Sequence, residues 1–378
     1  MSDGADRLRV AFVVDSLVVG GAERVVQALA SGLGHEGFEV VVGCLRSPGP
    51  IGEALRTRGI RVDEGLATRR ADPLQIPAVI RWLRGVGADV VLVLDHSNAL
   101  FFGRVAARFA GLPAVVAVHR TRRADGSPSL GRIDRLLEPW TAAVIAVSRG
   151  HAEYLEHEEG VDRSRLRVVH NGVDVDRFAV AAEPTSRAPA RTRLGIATGA
   201  VVFAIVAALR PEKNHESLLR AMAVPELQHA RLAVVGDGER REGLQTLATE
   251  LGVDTRVHWL GWRDDVERVL AAVDGLVLPS HPNVETFPMC VLEAMAAARP
   301  VVATRVGSLE EMVEDGRTGW LVPPDDTAAL TAALVRAASD PDERGRRGEA
   351  GRARVAKHFT EVQMVSGVAA VLREVARA

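Results

Sequence analysis

Short unbroken apolar runs recur along this chain, and most are separated by stretches with helical spacing. In the first half, 10–14, 39–44, 90–94, 114–118, 143–147 and 167–169 read as strands. Runs of Val, Leu and Ala without polar alternation indicate parallel strands covered on both faces. After Gly20-Gly21 the apolar positions Val25, Val26, Leu29 and Leu33 recur at the spacing of a helix. A second strand–helix series runs through 200–207, 231–235, 257–260, 275–278 and 300–303. Both series have the α/β pattern of a doubly wound parallel sheet.

The pattern breaks over 179–191, where no periodicity survives and Pro and small residues dominate. That stretch reads as an interdomain linker. The predicted organisation is a first domain over 1–178, a linker over 179–195 and a second domain over 196–359. The last helical stretch, about 360–378, is expected to cross back onto the first domain. Ligands of such sheets bind beyond the carboxyl ends of the strands, and a cleft between two domains is a favoured pocket.

Composition narrows the classes. At 378 residues and 47% apolar, the chain can fill two full cores, with aromatics at only 4%. A net charge of −2 supplies no general attraction to nucleic acid. Cys44 and Cys290 form no CxxC pair, which fits a reducing compartment better than a disulfide scaffold. Met1–Asp6 is polar and does not read as a signal peptide. The longest apolar run, Gly199–Leu209, has 11 residues and is too short to span a bilayer. A cytoplasmic protein is expected.

Candidate chemistry gathers in the second half. Lys213 is one of only two lysines among 47 Lys+Arg residues. A compact ammonium suits a site where one point charge must meet a phosphate. Glu285 and Glu293 stand eight residues apart in Glu-Thr-Phe-Pro-Met-Cys-Val-Leu-Glu, one before a helix and one inside it. Pro288 can occupy the first turn of that helix, leaving amides near Phe287–Met289 for an anion or hydroxyl. Carboxylates for sugar hydroxyls beside a cation for phosphate suggest a nucleotide-sugar site. Gly236-Asp237-Gly238 after a strand allows close backbone approach or makes an ordinary turn. Gly261-Trp262-Arg263 either frames a base or is a loop with a core Trp. The G-x-G-x-x-G of a dinucleotide site is missing, which disfavours a dehydrogenase.

These residues resemble the retaining glycosyltransferases of family 4, with the GT-B fold of two Rossmann-like doubly wound domains. The resemblance covers nearly the whole chain. It is strongest over 206–325, in Lys213-Asn-His, Val-Val-Gly-Asp-Gly, Leu-Pro-Ser, the paired glutamates and Asp315-Gly-x-x-Gly319. It implies that Lys213 binds the donor diphosphate and that Glu285 contacts the transferred sugar. Glu293 would hold the ribose, while Thr286, Phe287, Pro288 and Met289 line sugar and phosphate. Gly236, Trp262 and Arg263 would then lie at the base. The arginine usual five residues before the lysine is Ala208 here, and Arg210 is the nearest replacement. Thr286 and Pro288 stand where the family commonly has glycine, and Ser308 and Glu310 where Gly and Pro are usual.

In the first half the resemblance includes the Gly20-Gly21 loop, placed near donor phosphate or acceptor. His119, at a strand end, matches the family histidine that contacts the donor sugar, although Arg120 replaces the usual Asp. His96 lies similarly after another strand. Arg120, Arg122, Arg123, Arg132 and Arg135 suit a phosphate or carboxylate on the acceptor, an anionic membrane surface, or a solvated loop.

The expected function is retaining transfer from a nucleoside-diphosphate sugar, UDP favoured, to an acceptor hydroxyl, with no cofactor and no metal. A lipid-linked or cell-envelope glycan precursor and a small-molecule aglycone remain open as acceptors. The alternatives are a sugar-nucleotide epimerase of the same fold and a non-catalytic nucleotide-sugar-binding scaffold.

Overall fold

The computed structural model describes residues 7–18, 21–66, 75–94, 97–118, 132–197, 199–282 and 285–377. The chain divides into two compact units, one of Met1–Asn171 with Glu361–Ala378, the other of Gly172–Thr360.

In the first unit the chain runs β1 (Arg9–Val14), α1 (Gly21–Gly32), β2 (Glu39–Cys44), α2 (Gly49–Thr57), β3 (Arg61–Asp63) and α3 (Gln75–Gly85). It continues through β4 (Val90–Leu94), α4 (Ser97–Ala110), β5 (Ala114–Val118), α5 (Arg132–Leu137), β6 (Ala143–Ala146), α6 (Arg149–His157) and β7 (Leu166–Val168). The seven strands lie in the order 3-2-1-4-5-6-7, all parallel. β1, β4 and β5 are buried along nearly their whole length, as unbroken Val/Leu/Ala runs require.

The second unit begins with α7 (Val175–Ala182) and α8 (Pro184–Arg193). Next come β8 (Val201–Val206), α9 (His215–Met222), β9 (Ala230–Val235), α10 (Arg241–Glu250), β10 (Val257–Gly261) and α11 (Val266–Ala272). β11 (Gly275–Leu278), α12 (Met289–Ala296), β12 (Val301–Thr304), α13 (Leu309–Met312), β13 (Gly319–Val322), α14 (Thr327–Ser339) and α15 (Pro341–His358) complete it. Its six parallel strands lie in the order 10-9-8-11-12-13. One core joins Phe203, Ile205, Leu232, Val234 and Val277 to Leu218, Met222, Leu244 and Leu334 on the helices. α16 (Glu361–Ala376) then returns to the first unit. There a Cβ on Gly32 of α1 would lie 2.6 Å from Val365, so the glycine admits the helix. Arg167–Glu374 at 2.5 Å and Arg373–Glu36 at 3.0 Å hold its flanks.

The stretch expected to be a linker, 179–195, is instead largely helical and belongs to the second unit. Its fastening is polar, which is why apolar periodicity did not reveal it. Arg191 of α8, only 1% exposed, donates to Asp274 at 2.9 Å and to the Ala272 carbonyl at 2.9 Å. Arg187 reaches the other oxygen of Asp274 at 2.5 Å, and the Val202 amide donates to Asp274 at 2.8 Å. One buried carboxylate thus ties α8 to the amino ends of β8 and β11. No helix among the described residues is long and apolar enough to cross a membrane.

Candidate functional site

Strand order in the second sheet reverses between β8 and β11, and a crevice forms beyond the carboxyl ends of strands at such a point. Lys213 follows β8 and Glu285 follows β11, so the two flank the reversal. Lys213 Nζ donates to Glu285 Oε1 at 2.6 Å. Ser280, at the end of β11, donates from Oγ to the same oxygen at 2.5 Å, and its carbonyl accepts from Thr304 Oγ1 at 2.7 Å. Oε1 therefore carries both bonds, and Oε2 has none among the described residues. Glu285 is 4% exposed, and a buried carboxyl group needs such hydrogen-bond partners. Burial pulls the Lys213 ammonium down, but the charge and hydrogen bond of Glu285 more than offset this, and its pKa is raised.

Backbone geometry holds the pair in place. Lys213 lies in a 3-10 turn, Pro211–Lys213, closed by Asn214 in the left-handed region at φ 51°. Asn214 then caps α9 by accepting from the Ser217 amide at 3.3 Å. Gly307, at φ +55°, packs against Glu285 so closely that a Cβ would lie 1.8 Å from the Glu285 carbonyl oxygen. Gly236, at φ +135°, packs likewise on the Ala207 carbonyl at 2.0 Å. Leu209 N to Asp237 O at 3.0 Å and Gly236 N to Gly261 O at 2.8 Å knit the loops after β8, β9 and β10 together.

α12 starts one residue later than expected, with Pro288 as its N-cap rather than in its first turn. Pro288 supplies no side-chain cap, and the first amides and the dipole of α12 are directed toward the loop before the helix. Phe287 is 2% exposed, its ring 5.4 Å from that of Phe359. Thr286 and Met289 are partly exposed. Glu293 is 6% exposed within α12. Burial, together with the charges of Glu285 and Glu293, pushes the Cys290 thiol far up, so it stays a neutral thiol beside the two carboxylates.

Other expected residues are placed differently. Arg210 is exposed, 4.0 Å from Glu212. Trp262 is 55% exposed and is not a core residue. Arg263 is engaged by Asp265 through Nε and one terminal nitrogen, both at 2.7 Å, so its charge is already met. In the first unit Gly21 opens α1, and Arg135 donates to the Glu158 carbonyl at 3.2 Å. Gly20, His96, His119, Arg120, Arg122 and Arg123 lie outside the described residues, as does the side chain of Arg132.

Sequence reasoning missed several neighbours. His281 follows Ser280, its amide donates to the Glu212 carbonyl at 3.0 Å, and its Nδ1 contacts Asp325 Oδ1. His215, 3% exposed, has no partner for either ring nitrogen among the described residues, and burial lowers its pKa to about 4. Only a non-glycine residue in the left-handed region, Asp325 at φ 60°, would have hinted at the first pair, and φ is invisible in sequence.

Two family models match the chain. Glycosyltransferase Family 4 covers residues 19–177, and Glycosyl transferases group 1 covers residues 186–354. A D-inositol 3-phosphate glycosyltransferase of Streptomyces avermitilis is 34% identical over 284 residues, covering 68% of this chain and 60% of the relative. The UDP-Gal:alpha-D-GlcNAc-diphosphoundecaprenol alpha-1,3-galactosyltransferase of Escherichia coli is 28% identical over 265 residues, 66% of either chain. The chain thus spans less than two thirds of the length of each of these curated relatives. Among solved structures, Anabaena Alr3699/HepE in complex with UDP superposes with a TM-score of 0.85 at 24% identity, over 97% of this chain and 100% of that one. Two parallel Rossmann-like units of this kind are those of the GT-B glycosyltransferases. With its first half matched by one model and its second half by the other, the chain belongs to the group 1, family 4 glycosyltransferases.

Proposed function

We propose that the protein transfers a sugar from a nucleoside-diphosphate donor to an acceptor hydroxyl, with retention at the anomeric carbon and without a metal ion. The observation that carries this reading is the buried Lys213–Glu285 pair at the strand-order reversal, in the loop that leads into α12. Lys213 and the α12 amides would meet the diphosphate, gaining strength as charge develops on it. Glu285 Oε2 would accept from a hydroxyl of the sugar, and Glu293 from the ribose. Gly236 and Trp262 would border the base. In the transfer step the bond from the anomeric carbon to the diphosphate oxygen breaks and a bond to the acceptor oxygen forms on the same face. The acceptor proton passes to the departing phosphate, and the nucleoside diphosphate leaves.

UDP is the favoured nucleotide. Support comes from the UDP in the complex of the Anabaena neighbour and in the name of the Escherichia coli relative. Both curated relatives are named for compounds bearing phosphate or diphosphate, which favours a phosphorylated or lipid-diphosphate acceptor. The arginines at 120, 122 and 123 add cationic character in sequence.

Glu285→Gln and Lys213→Ala test the roles. In EDTA, with a panel of UDP-sugars, Lys213→Ala should lower release of UDP from the donor by about 100-fold or more. Glu285→Gln should lower turnover strongly while keeping donor affinity. Full turnover in Glu285→Gln, or activity that disappears in EDTA and returns with a divalent ion, would overturn the corresponding role.

A further inference from the structure

Resting on the donor-site reading above, we propose that His281 is a second cationic contact for the donor diphosphate, anchored by Asp325. Its place is established from two sides. The His281 amide donates at 3.0 Å to the carbonyl of Glu212, the residue before Lys213. Its chain neighbour Ser280 donates to Glu285 at 2.5 Å. The His281 backbone is therefore tied to the segments that carry both partners of the Lys213–Glu285 pair. It is 43% exposed, Nδ1 is engaged by Asp325, and Nε2 has no partner among the described residues.

Charge balance gives the ring a task. Lys213 is already compensated by Glu285, and Arg263 by Asp265. A diphosphate arriving beside these paired cations gains from a further donor. The charged side chains on the segments His281 touches are Glu212 and Lys213 after β8, Asp325 and Asp326 after β13, and Glu285 on its own loop. When protonated, the ring with Nδ1–H on Asp325 presents Nε2–H as such a donor.

Asp325 adds a second argument. It holds φ 60°, where glycine is free and other residues are strained. Asp326 already caps α14, accepting from the Ala329 amide at 2.8 Å, so the helix start does not need the Asp325 carboxylate. The strained carboxylate is spent on His281.

Calorimetric titration with UDP and with UMP separates the possibilities. His281→Ala should weaken UDP about tenfold or more, the scale of a charge-assisted hydrogen bond, and leave UMP within about twofold. His281→Lys should restore UDP affinity. Asp325→Gly should weaken UDP without lowering the melting temperature, since glycine suits the left-handed backbone. Equal loss of UDP and UMP in His281→Ala would mean a merely structural role and overturn the proposal, as would an unchanged UDP/UMP ratio. If Lys213→Ala abolishes UDP binding while His281→Ala does not alter it, the donor site stands and His281 is excluded. A wild-type chain that binds neither nucleotide removes the donor-site reading and this proposal together.

Discussion

At the scale of single residues, the decisive contacts are a few oxygens held by unusual neighbours. Gly307 is one of these. Its φ of +55° and the 1.8 Å approach of a built Cβ to the Glu285 carbonyl leave no room for a side chain. Gly307→Ala should cost at least about 1–3 kcal/mol in urea unfolding and weaken nucleotide binding by displacing Glu285. A variant as stable and as tight-binding as wild type would contradict that placement. His215 makes a second prediction. Buried and unpartnered, it is held neutral with a pKa near 4, below its ordinary value of 6.5. The unfolded chain therefore binds a proton between those two values that the native state refuses, so stability falls as pH drops from about 6.5 toward 4. The loss is on the order of 3 kcal/mol, and it should be smaller in His215→Gln when unfolding is compared at pH 7 and pH 5. Lys213 and the paired glutamates were legible because their residue types are rare or distinctively spaced. The Asp325–His281 contact spans 44 residues of chain and Gly307 acts through a backbone angle, so neither leaves a local pattern.

At the scale of elements, strands built from uninterrupted Val and Leu could be read directly, several to the residue. Two were not read as strands. β3 is three residues, two of them charged, and β13 opens with Gly-Trp beside a glycine turn. α8 was missed for a different reason. It is poor in large apolar residues and carries two prolines, and its attachment runs through Arg187, Arg191 and Asp274. Such a helix is stabilised by a buried charge pair instead of an apolar stripe. Removing Arg191 leaves Asp274 with Arg187 and the Val202 amide but strips it of its buried guanidinium and leaves the Ala272 carbonyl without that donor. Arg191→Ala should therefore destabilise the protein by roughly 1.5–3 kcal/mol, read by chemical denaturation. A change below about 1 kcal/mol, the level of an exposed pair, would show that α8 is held by other contacts.

At the scale of the whole molecule, each unit repeats one scheme, a parallel sheet whose order reverses beside its first strand, with loops at the carboxyl ends free to carry chemistry. In the second unit those loops and the helix α12 that follows them carry a cation and two buried carboxylates. In the first unit Gly21 opens the helix that follows β1. The doubling of the fold was visible in the repeated strand–helix rhythm. The point where one unit passes into the next was not, because the crossing at Asn171–Gly172 lies within a segment of ordinary composition, while the Pro-rich stretch after it folds. The central claim is that the second unit holds a nucleoside diphosphate through Lys213. Calorimetric titration of UDP, GDP and ADP into wild type and Lys213→Ala, all in EDTA, tests it most directly. The account predicts saturable binding of one of these nucleotides, UDP favoured, by wild type, and its loss in the variant. Binding of none of the three, or equal binding by Lys213→Ala, would contradict it.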